Sequence, residues 1–369
     1  MQAPYLHRDE LRARIVRLPR ASVGLYPTPF HPLRRLSRRY GVGMFMKRED
    51  LAGPGTISGS KTRLSEFILG QALADGATHV ITQGADLTNS GMQFAAACRV
   101  AGLEPILFLT RDVARHGELT EYRGNLLLNK TMGVETHHLT VTGAGAWEGG
   151  EDADRLAEAI RARREELEAE GHRVVVVPTG GAHPDGFVAH ALTFIEMLDQ
   201  AEAQDAELHF VFHTIGTGTA LPGMLAAKLA TGSSVAFRSI AINAYDEDGW
   251  ISPSVIVERT KAVLRSIDVP VPADEVIRSE VDVDERFIGE DYAVPSRAST
   301  EAIQELARTE GVFVGPVYTG KGFAGMLDHI RSGRVPSEAN VAFVHTGDTA
   351  NLFESLSVVG DVTAPPVGR

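Results

Sequence analysis

One lysine in this chain lies at a position that would suit an amine nucleophile. Lys61 ends a segment of mostly small residues at positions 53–60 and precedes an apolar run with helical spacing. The chain has six lysines against thirty arginines, and lysine, unlike arginine, can lose its proton and form a Schiff base with a carbonyl. The pattern predicts a nucleophilic lysine. The alternative is a solvated lysine at a helix start, because one Gly/Ser-rich segment is a weak signal.

A second polar segment, at residues 84–91, is suited to binding an anion. Thr88, Asn89 and Ser90 stand just before a helical pattern at 92–101, where such side chains cap helices. The free backbone N–H groups of a helix start also attract carboxylates. The segment predicts a carboxylate site, with ordinary helix capping as the alternative.

The glycine-rich segment at residues 216–223 follows a buried strand and precedes a helix. Its glycines allow close backbone approach, and Thr217 and Thr219 add hydroxyl donors, so it predicts a phosphate cradle. It lacks the G-x-G-x-x-G spacing of dehydrogenases, and the next strand ends in Asn243 rather than an acid. It also lacks the Gly-Lys-Ser/Thr of a Walker loop. A tight strand-to-helix turn is the alternative.

Alternating strands and helices must position these segments. The pattern predicts strands at 44–47, 79–83, 106–110, 174–178, 209–215, 239–243 and 342–345. It predicts helices at 9–17, 64–74, 92–101, 156–170, 224–230 and 323–331. Strands that are apolar on both faces and alternate with helices indicate an α/β fold with parallel sheets. Ligands of such folds bind at the carboxyl ends of the strands.

Two more polar segments lie beside predicted elements. Residues 315–322 precede the predicted helix at 323–331, and residues 345–348 stand at the end of the predicted strand at 342–345. We expect residues 142–151, which are rich in glycine, to form a surface loop or lid.

Composition narrows the classes of function. A net charge of −12 argues against nucleic acid or an anionic membrane as a main partner, and no apolar run is long enough for a membrane span. The single cysteine, Cys98, excludes an intrachain disulfide and indicates a reducing compartment, so we expect a cytoplasmic protein. The sequence has no H-E-x-x-H or G-x-S-x-G motif, so we predict neither a metal site nor an acyl-transfer serine.

The ordered set of motifs resembles one family over nearly the whole chain. The matching segments are Pro27-Thr28-Pro29, Lys47-Arg48-Glu49-Asp50-Leu51, Ser58-Gly59-Ser60-Lys61-Thr62-Arg63, Gly180-Gly181-Ala182-His183-Pro184-Asp185-Gly186, residues 216–223, Pro316-Val317-Tyr318-Thr319-Gly320-Lys321 and His345-Thr346-Gly347. Together they resemble the pyridoxal-phosphate enzymes of the tryptophan-synthase-β fold (fold type II), in the branch of D-cysteine desulfhydrase and 1-aminocyclopropane-1-carboxylate (ACC) deaminase. The resemblance implies two domains, each an open parallel sheet flanked by helices, and a homodimer. The large cofactor-binding domain would comprise residues 1–61 and 176–369, with 62–175 as the small domain inserted in it.

The resemblance also implies a role for each matched residue. The implied catalytic residues are Lys61, Thr88 and Tyr318. The implied cofactor-binding residues are Lys61, Asn89, Gly216, Thr217, Gly218, Thr219, Tyr292, Thr319 and Thr346. The implied substrate-binding residues are Thr88, Asn89, Ser90 and Tyr318. Lys61 would hold pyridoxal 5′-phosphate covalently, and Thr319 and Thr346 would lie near its pyridine nitrogen.

Three departures from the family pattern bear on the reaction. Thr319 stands where the ACC deaminases have an acid, and a hydroxyl does not keep the pyridine nitrogen protonated as a carboxylate does. Opening a cyclopropane ring is demanding, so this change favours ejection of a good leaving group such as thiolate. Leu87 and Ser90 replace the usual glutamine and histidine beside the substrate. We therefore predict a lyase that deaminates a small amino acid by β-elimination, resembling D-cysteine desulfhydrase, with the amino acid and its handedness open.

Other reaction classes would use the same lysine. A β-replacement transferase, an amino acid racemase or an ACC deaminase are alternatives within the family. A non-catalytic cofactor-binding protein and, more distantly, a dehydrogenase are alternatives outside it.

Overall fold

Two sheets built mainly from parallel strands organise the chain. The computed structural model describes residues 5–53, 58–117, 119, 121–142, 149–245, 251–354 and 358. The larger sheet has the strand order β1 (Phe30–Pro32), β2 (Gly43–Lys47), β10 (Asn340–Val344), β7 (Phe210–Ile215), β8 (Ala236–Ala241) and β9 (Val283–Asp284). The smaller sheet has the order β5 (Glu135–Val141), β4 (Glu104–Asp112), β3 (His79–Ala85) and β6 (Val174–Val177). Neighbouring strands pair in parallel except β1 with β2. The predicted α/β fold class is confirmed.

Helices flank both sheets. They are α1 (Arg8–Ile15), α2 (Arg34–Tyr40), α3 (Ser60–Ala74), α4 (Asn89–Ala101), α5 (Val113–His116), α6 (Gly124–Thr131), α7 (Glu151–Ala169), α8 (Pro184–Phe187), α9 (Ala189–Glu202), α10 (Leu221–Thr231), α11 (Pro253–Ser266), α12 (Asp274–Arg278), α13 (Arg297–Glu310), α14 (Thr319–Arg331) and α15 (Thr349–Leu352). Within the described ranges, no helix is both long enough and apolar enough to cross a membrane.

Each strand and helix predicted from the sequence is present, with ends shifted by a few residues. Strands β1, β5 and β9 were not predicted. The edge strand β5 is largely half-exposed and carries Glu135, His137 and His138, so it lacks the continuous apolar run of a buried strand. Of the loop predicted at 142–151, positions 143–148 lie outside the described residues. The predicted domain division stays a prediction, although β6 runs two residues past its edge at 175.

Helix α3 is buried almost all round and joins the two parts of the molecule. Eleven of its 15 residues are buried. Leu64, Phe67 and Ile68 share one apolar cluster with Phe94 of α4 and Phe194 of α9. An apolar helix of this kind is stabilised by packing on several faces rather than by one amphipathic stripe. Its position fixes the direction in which its first turn points.

A buried cluster of charges anchors that first turn. Arg63, which is fully buried, pairs bidentately with Glu49 at 2.9 Å for both bonds, and with Glu196 at 2.8 and 2.9 Å. Lys47, also fully buried, donates to Glu196 at 2.7 Å. The Arg63 guanidinium lies 3.9 Å from the centre of the Tyr26 ring. Planar bidentate pairing of this kind fixes orientation as well as charge.

Replacing Arg63 is expected to destabilise the fold strongly. In Arg63→Met the buried Glu49 carboxylate loses its cation, which we expect to lower the free energy of unfolding by ~3–5 kcal/mol. Urea unfolding followed by circular dichroism measures the change. Arg297→Met is the control, because that side chain is 92% exposed and, among the described residues, forms its ion pair with Glu301 of the same helix. Equal stability of the two variants would show that the buried cluster does not anchor α3.

Candidate active site

A cavity of about 980 Å³ lies among the loops at the carboxyl ends of strands from both sheets. The predicted site residues that line it are Lys61, Thr88, Asn89, Ser90, Gly216, Thr217, Gly218, Thr219, Tyr292, Tyr318 and Thr346. Of the predicted set, only Thr319 is absent from the lining. Segments separated by more than 200 residues in sequence thus meet at one position, as expected for open parallel sheets.

Lys61 is held at the cavity by contact between two turns. The Ser60 N–H donates to the carbonyl of Thr346 at 3.0 Å. Gly347 beside it has φ +106°, and a Cβ atom there would lie 2.5 Å from the carbonyl oxygen of Ser58. Only glycine allows the backbones to approach this closely, so the turn after β10 fixes where α3 begins.

The amine of Lys61 points at two threonine hydroxyls. Its Nζ donates to Thr219 Oγ1 and lies 3.4 Å from Thr217 Oγ1. Burial of the amine, together with the nearby charge of Arg259, lowers the pKa of Lys61 from 10.5 to about 7. A substantial fraction of this amine is therefore unprotonated at neutral pH and able to act as a nucleophile or a base.

The loop that carries these threonines is suited to a phosphate. Arg259 donates from Nη1 to the carbonyls of Thr217, at 2.6 Å, and Gly218, at 3.1 Å. No acceptor among the described residues bonds the amides of Thr217, Gly218 and Thr219. Gly218 has φ +61°, a conformation that favours glycine. Free amides, two hydroxyls and an adjacent cation together form an anion-binding loop.

The segment before α4 both caps the helix and leaves polar atoms without partners. Thr88 is the N-cap, and its hydroxyl accepts from the Gly91 N–H at 3.1 Å. Asn89 Oδ1 and Ser90 Oγ are buried and have no hydrogen-bond partner among the described residues. Buried polar atoms are nearly always paired in folded proteins. These two atoms therefore fit a bound ligand that bears donors and acceptors.

Two tyrosines form a further wall of the cavity. The hydroxyls of Tyr292 and Tyr318 hydrogen-bond to each other, and the rings meet edge to face with centres 5.6 Å apart. Burial raises the pKa of Tyr292 well above its usual value, and it raises the pKa of Tyr318 in the same direction. Both phenols are neutral at physiological pH and can share or donate a proton.

The hydroxyl of Thr319 does not reach the cavity. Its Oγ1 accepts from the Gly315 N–H at 2.9 Å and donates to the carbonyl of Gly347 at 3.2 Å. The residue is fully buried at the first position of α14. Of the two threonines predicted near the cofactor nitrogen, the structure therefore brings only Thr346 to the cavity wall. The hydroxyl of Thr319 is hydrogen-bonded to the main chain and is therefore not available to a ligand in the cavity.

Two charged residues that shape the site were not predicted from the sequence. Arg259 lies on α11, more than 40 residues after the loop it supports, and nothing local distinguishes it from the other arginines. Asp348 is buried behind Tyr318 and accepts that residue's N–H at 2.8 Å. Its position in the polar segment 345–348 was the available signal, but the partner of its carboxylate was not visible in the sequence.

Known proteins match this chain along most of its length. Residues 21–347 match the family described as pyridoxal-phosphate dependent enzyme. Two proteins named "Putative 1-aminocyclopropane-1-carboxylate deaminase" are similar. The one from Thermotoga maritima is 31% identical over 90% of this chain and 97% of its own. The one from Pyrococcus abyssi is 30% identical over 92% and 95%.

A solved structure shares the fold as well. The crystal structure described as an ACC deaminase homologue superposes with a TM-score of 0.80 at 28% identity, covering 95% of this chain and 98% of that one. The free amides of residues 217–219, the lysine of lowered pKa beside them and the unpartnered atoms of Asn89 and Ser90 fit the cofactor of that family. The chain belongs to the pyridoxal-phosphate-dependent enzymes of fold type II, in the branch of the ACC deaminase homologues.

Proposed function

We propose that this enzyme is a lyase that removes the β-substituent of a small amino acid, with D-cysteine as the first candidate substrate. The products would be a 2-oxo acid, ammonia and, from cysteine, sulfide, with one water consumed. The observation that carries the proposal is the arrangement of one cavity. A lysine amine whose pKa is lowered to about 7 and a pair of neutral tyrosines both line it, and the deaminase-type acid after Tyr318 is absent.

The residues of the chain divide the work of binding. The amides of the loop 217–219 hold the phosphate, and Arg259 orients them by binding their carbonyls. The unpartnered Oδ1 of Asn89 would accept from the ring hydroxyl of the cofactor, and the unpartnered hydroxyl of Ser90 would donate to the substrate carboxylate. The amides at the start of α4 add further donors for that carboxylate.

The same cavity supplies groups that move protons. When bound, pyridoxal phosphate supplies an electron sink for negative charge at the α-carbon of the substrate. Lys61, with its pKa lowered to about 7, takes the α-proton as general base. Tyr318 and Tyr292 share a proton that either hydroxyl can donate to the departing group. A thiolate leaves readily, so it needs no carboxylate at the pyridine nitrogen.

ACC deaminase activity is the second candidate. The names of the relatives from Thermotoga maritima and Pyrococcus abyssi favour it. Against it stand the threonine at position 319 and the engagement of its hydroxyl by the main chain at Gly315 and Gly347. A direct comparison of D-cysteine with the cyclopropane substrate separates the two candidates.

The absorption spectrum tests the role of Lys61. Purified protein with pyridoxal phosphate should show the visible band of lysine-bound cofactor, and Lys61→Ala should lose it. Lys130→Ala is the matched control, because this exposed lysine lies away from the cavity. D-cysteine should change the band and release sulfide with an equal amount of 2-oxo acid, whereas ACC should not react. Release of a 2-oxo acid from ACC alone would replace the first candidate by the second, and no 2-oxo acid from any β-substituted amino acid or ACC would end the lyase proposal.

Attachment of the cofactor should depend on pH with a midpoint near 7. Protonation of Lys61 removes its nucleophilic lone pair, so the rate of covalent reconstitution should rise with pH through about 7 rather than above 10. Stopped-flow absorbance of apoprotein mixed with cofactor measures this rate. A midpoint near that of free lysine would show that the amine is not held neutral.

Removal of the charge of Arg259 should affect both phosphate binding and Lys61. In Arg259→Gln the loop carbonyls lose a charged donor, and we expect cofactor affinity to fall about tenfold, or ~1.4 kcal/mol. The reconstitution midpoint should move to higher pH, because Arg259 is one of the two causes of the lowered pKa. Arg265→Gln, exposed on the same helix, should change neither quantity. Identical affinities and midpoints in the two variants would remove Arg259 from the site.

A further inference from the structure

A line of buried polar side chains connects the segment before α4 with the segment before α14. It begins at the carbonyl of Leu87, next to Thr88 on the cavity wall. Asn125 of α6 donates from Nδ2 to this carbonyl at 2.9 Å and to Asn351 Oδ1 at 3.0 Å. Asn351 in turn donates from Nδ2 to Asp348 Oδ1 at 2.5 Å. One hydrogen-bonded line thus joins the loop after β3 of the smaller sheet to the loop after β10 of the larger sheet.

The line ends at the backbone of Tyr318. Asp348 Oδ2 accepts the Tyr318 N–H at 2.8 Å. The amides of Val317, before the helix, and of Thr319, its first residue, also favour the ionised carboxyl of Asp348. A carboxylate at a helix start satisfies free N–H groups and the local dipole. Asp348 therefore fixes the main chain from which the Tyr318 side chain projects into the cavity.

Burial and close packing distinguish this line from surface hydrogen bonds. Asn125, Asn351 and Asp348 are 0, 2 and 1% exposed. Asp348 has φ +88°, an uncommon conformation for a residue other than glycine. A Cβ atom at Gly315 would lie 2.5 Å from Asp348 Oδ2, so a larger residue there would collide with the carboxylate. The absence of a side chain at Gly315 therefore leaves the space that the Asp348 carboxylate occupies.

We propose that Asn125, Asn351 and Asp348 are positioning residues that couple the placement of Tyr318 to that of the segment 87–90. Tyr318 carries the transferable proton, and the segment 87–90 carries Thr88, Asn89 and Ser90. The line fixes the position of Tyr318 relative to the segment 87–90, although none of its three members lines the cavity. The catalytic consequence rests on the proposed lyase function, whereas the mechanical coupling does not.

Hydrogen–deuterium exchange of the apoprotein tests the coupling without any activity. Asp348→Asn changes contacts to Tyr318 and Asn351 and none to residues 84–90, yet amides of residues 84–90 should exchange faster, by about threefold or more. Asn125→Ala removes contacts to Leu87 and Asn351 and none to residues 315–322, yet residues 315–322 should exchange faster to a similar extent. Asn129→Ala is the matched control, because Asn129 is equally buried on the same helix and its side chain bonds none of the described residues. It should change neither segment.

The serial arrangement of the three side chains allows a stricter test with a double variant. Asn351→Ala breaks the middle and should loosen both segments. Adding Asn125→Ala to it should then cause no further loosening of residues 315–322, because the connection is already cut. The coupling is refuted if each variant loosens only the segment it contacts. It is equally refuted if exchange rises throughout, including in β7, or if Asn129→Ala has the same effect.

Kinetics with a reactive amino acid extend the test to catalysis. Asn351→Ala should lower kcat by about tenfold or more while the visible band of the lysine-bound cofactor persists, because Lys61 and the loop 217–219 make no contact with the line. The exchange result and the kinetic result separate the two proposals. Faster exchange in the distant segment, without any lyase activity, would support the coupling and contradict the proposed function. A normal kcat in Asn351→Ala would contradict the catalytic role of Asn351.

Discussion

The clamp of two carboxylates on Arg63 is the interaction on which the rest of the site depends. Glu49 follows β2 of the larger sheet, and Glu196 lies on α9, so a single guanidinium joins both to α3. The three groups are costly to bury singly and stable only together. Because Lys61 is two residues before Arg63, this clamp decides where the reactive amine is held. Stability and catalysis are thus linked in one turn of helix.

The protonation states of Lys61 and Tyr318 depend on burial and on neighbouring charges. Burial and Arg259 favour the neutral amine of Lys61, while burial keeps Tyr318 protonated. A neutral base and a neutral acid can face one substrate without attracting each other strongly. This arrangement supports the proposed lyase reaction, in which a proton leaves the α-carbon and another is delivered to a departing group.

Local sequence patterns were sufficient for most of the fold. Strands such as β3 and β7 are apolar on both faces, and glycine or polar residues mark their ends, so both their type and their place could be predicted. The edge strand β5 could not, because one exposed side lets it carry charged and polar residues. The same limit explains Thr319. Its place in the motif was visible, but the hydrogen bonds that turn its hydroxyl away from the cavity were not.

The sequence by itself determined the family, the cofactor and the residue types that meet at the cavity, because motifs in a fixed order encode chemistry locally. The tertiary structure decided which of those side chains face the ligand and what supports them. Arg259 and the line from Asn125 to Asp348 act across long separations in the chain. Hydrogen bonds between distant segments leave no spacing or periodicity in one sequence. Only the folded chain brings their donors and acceptors within reach.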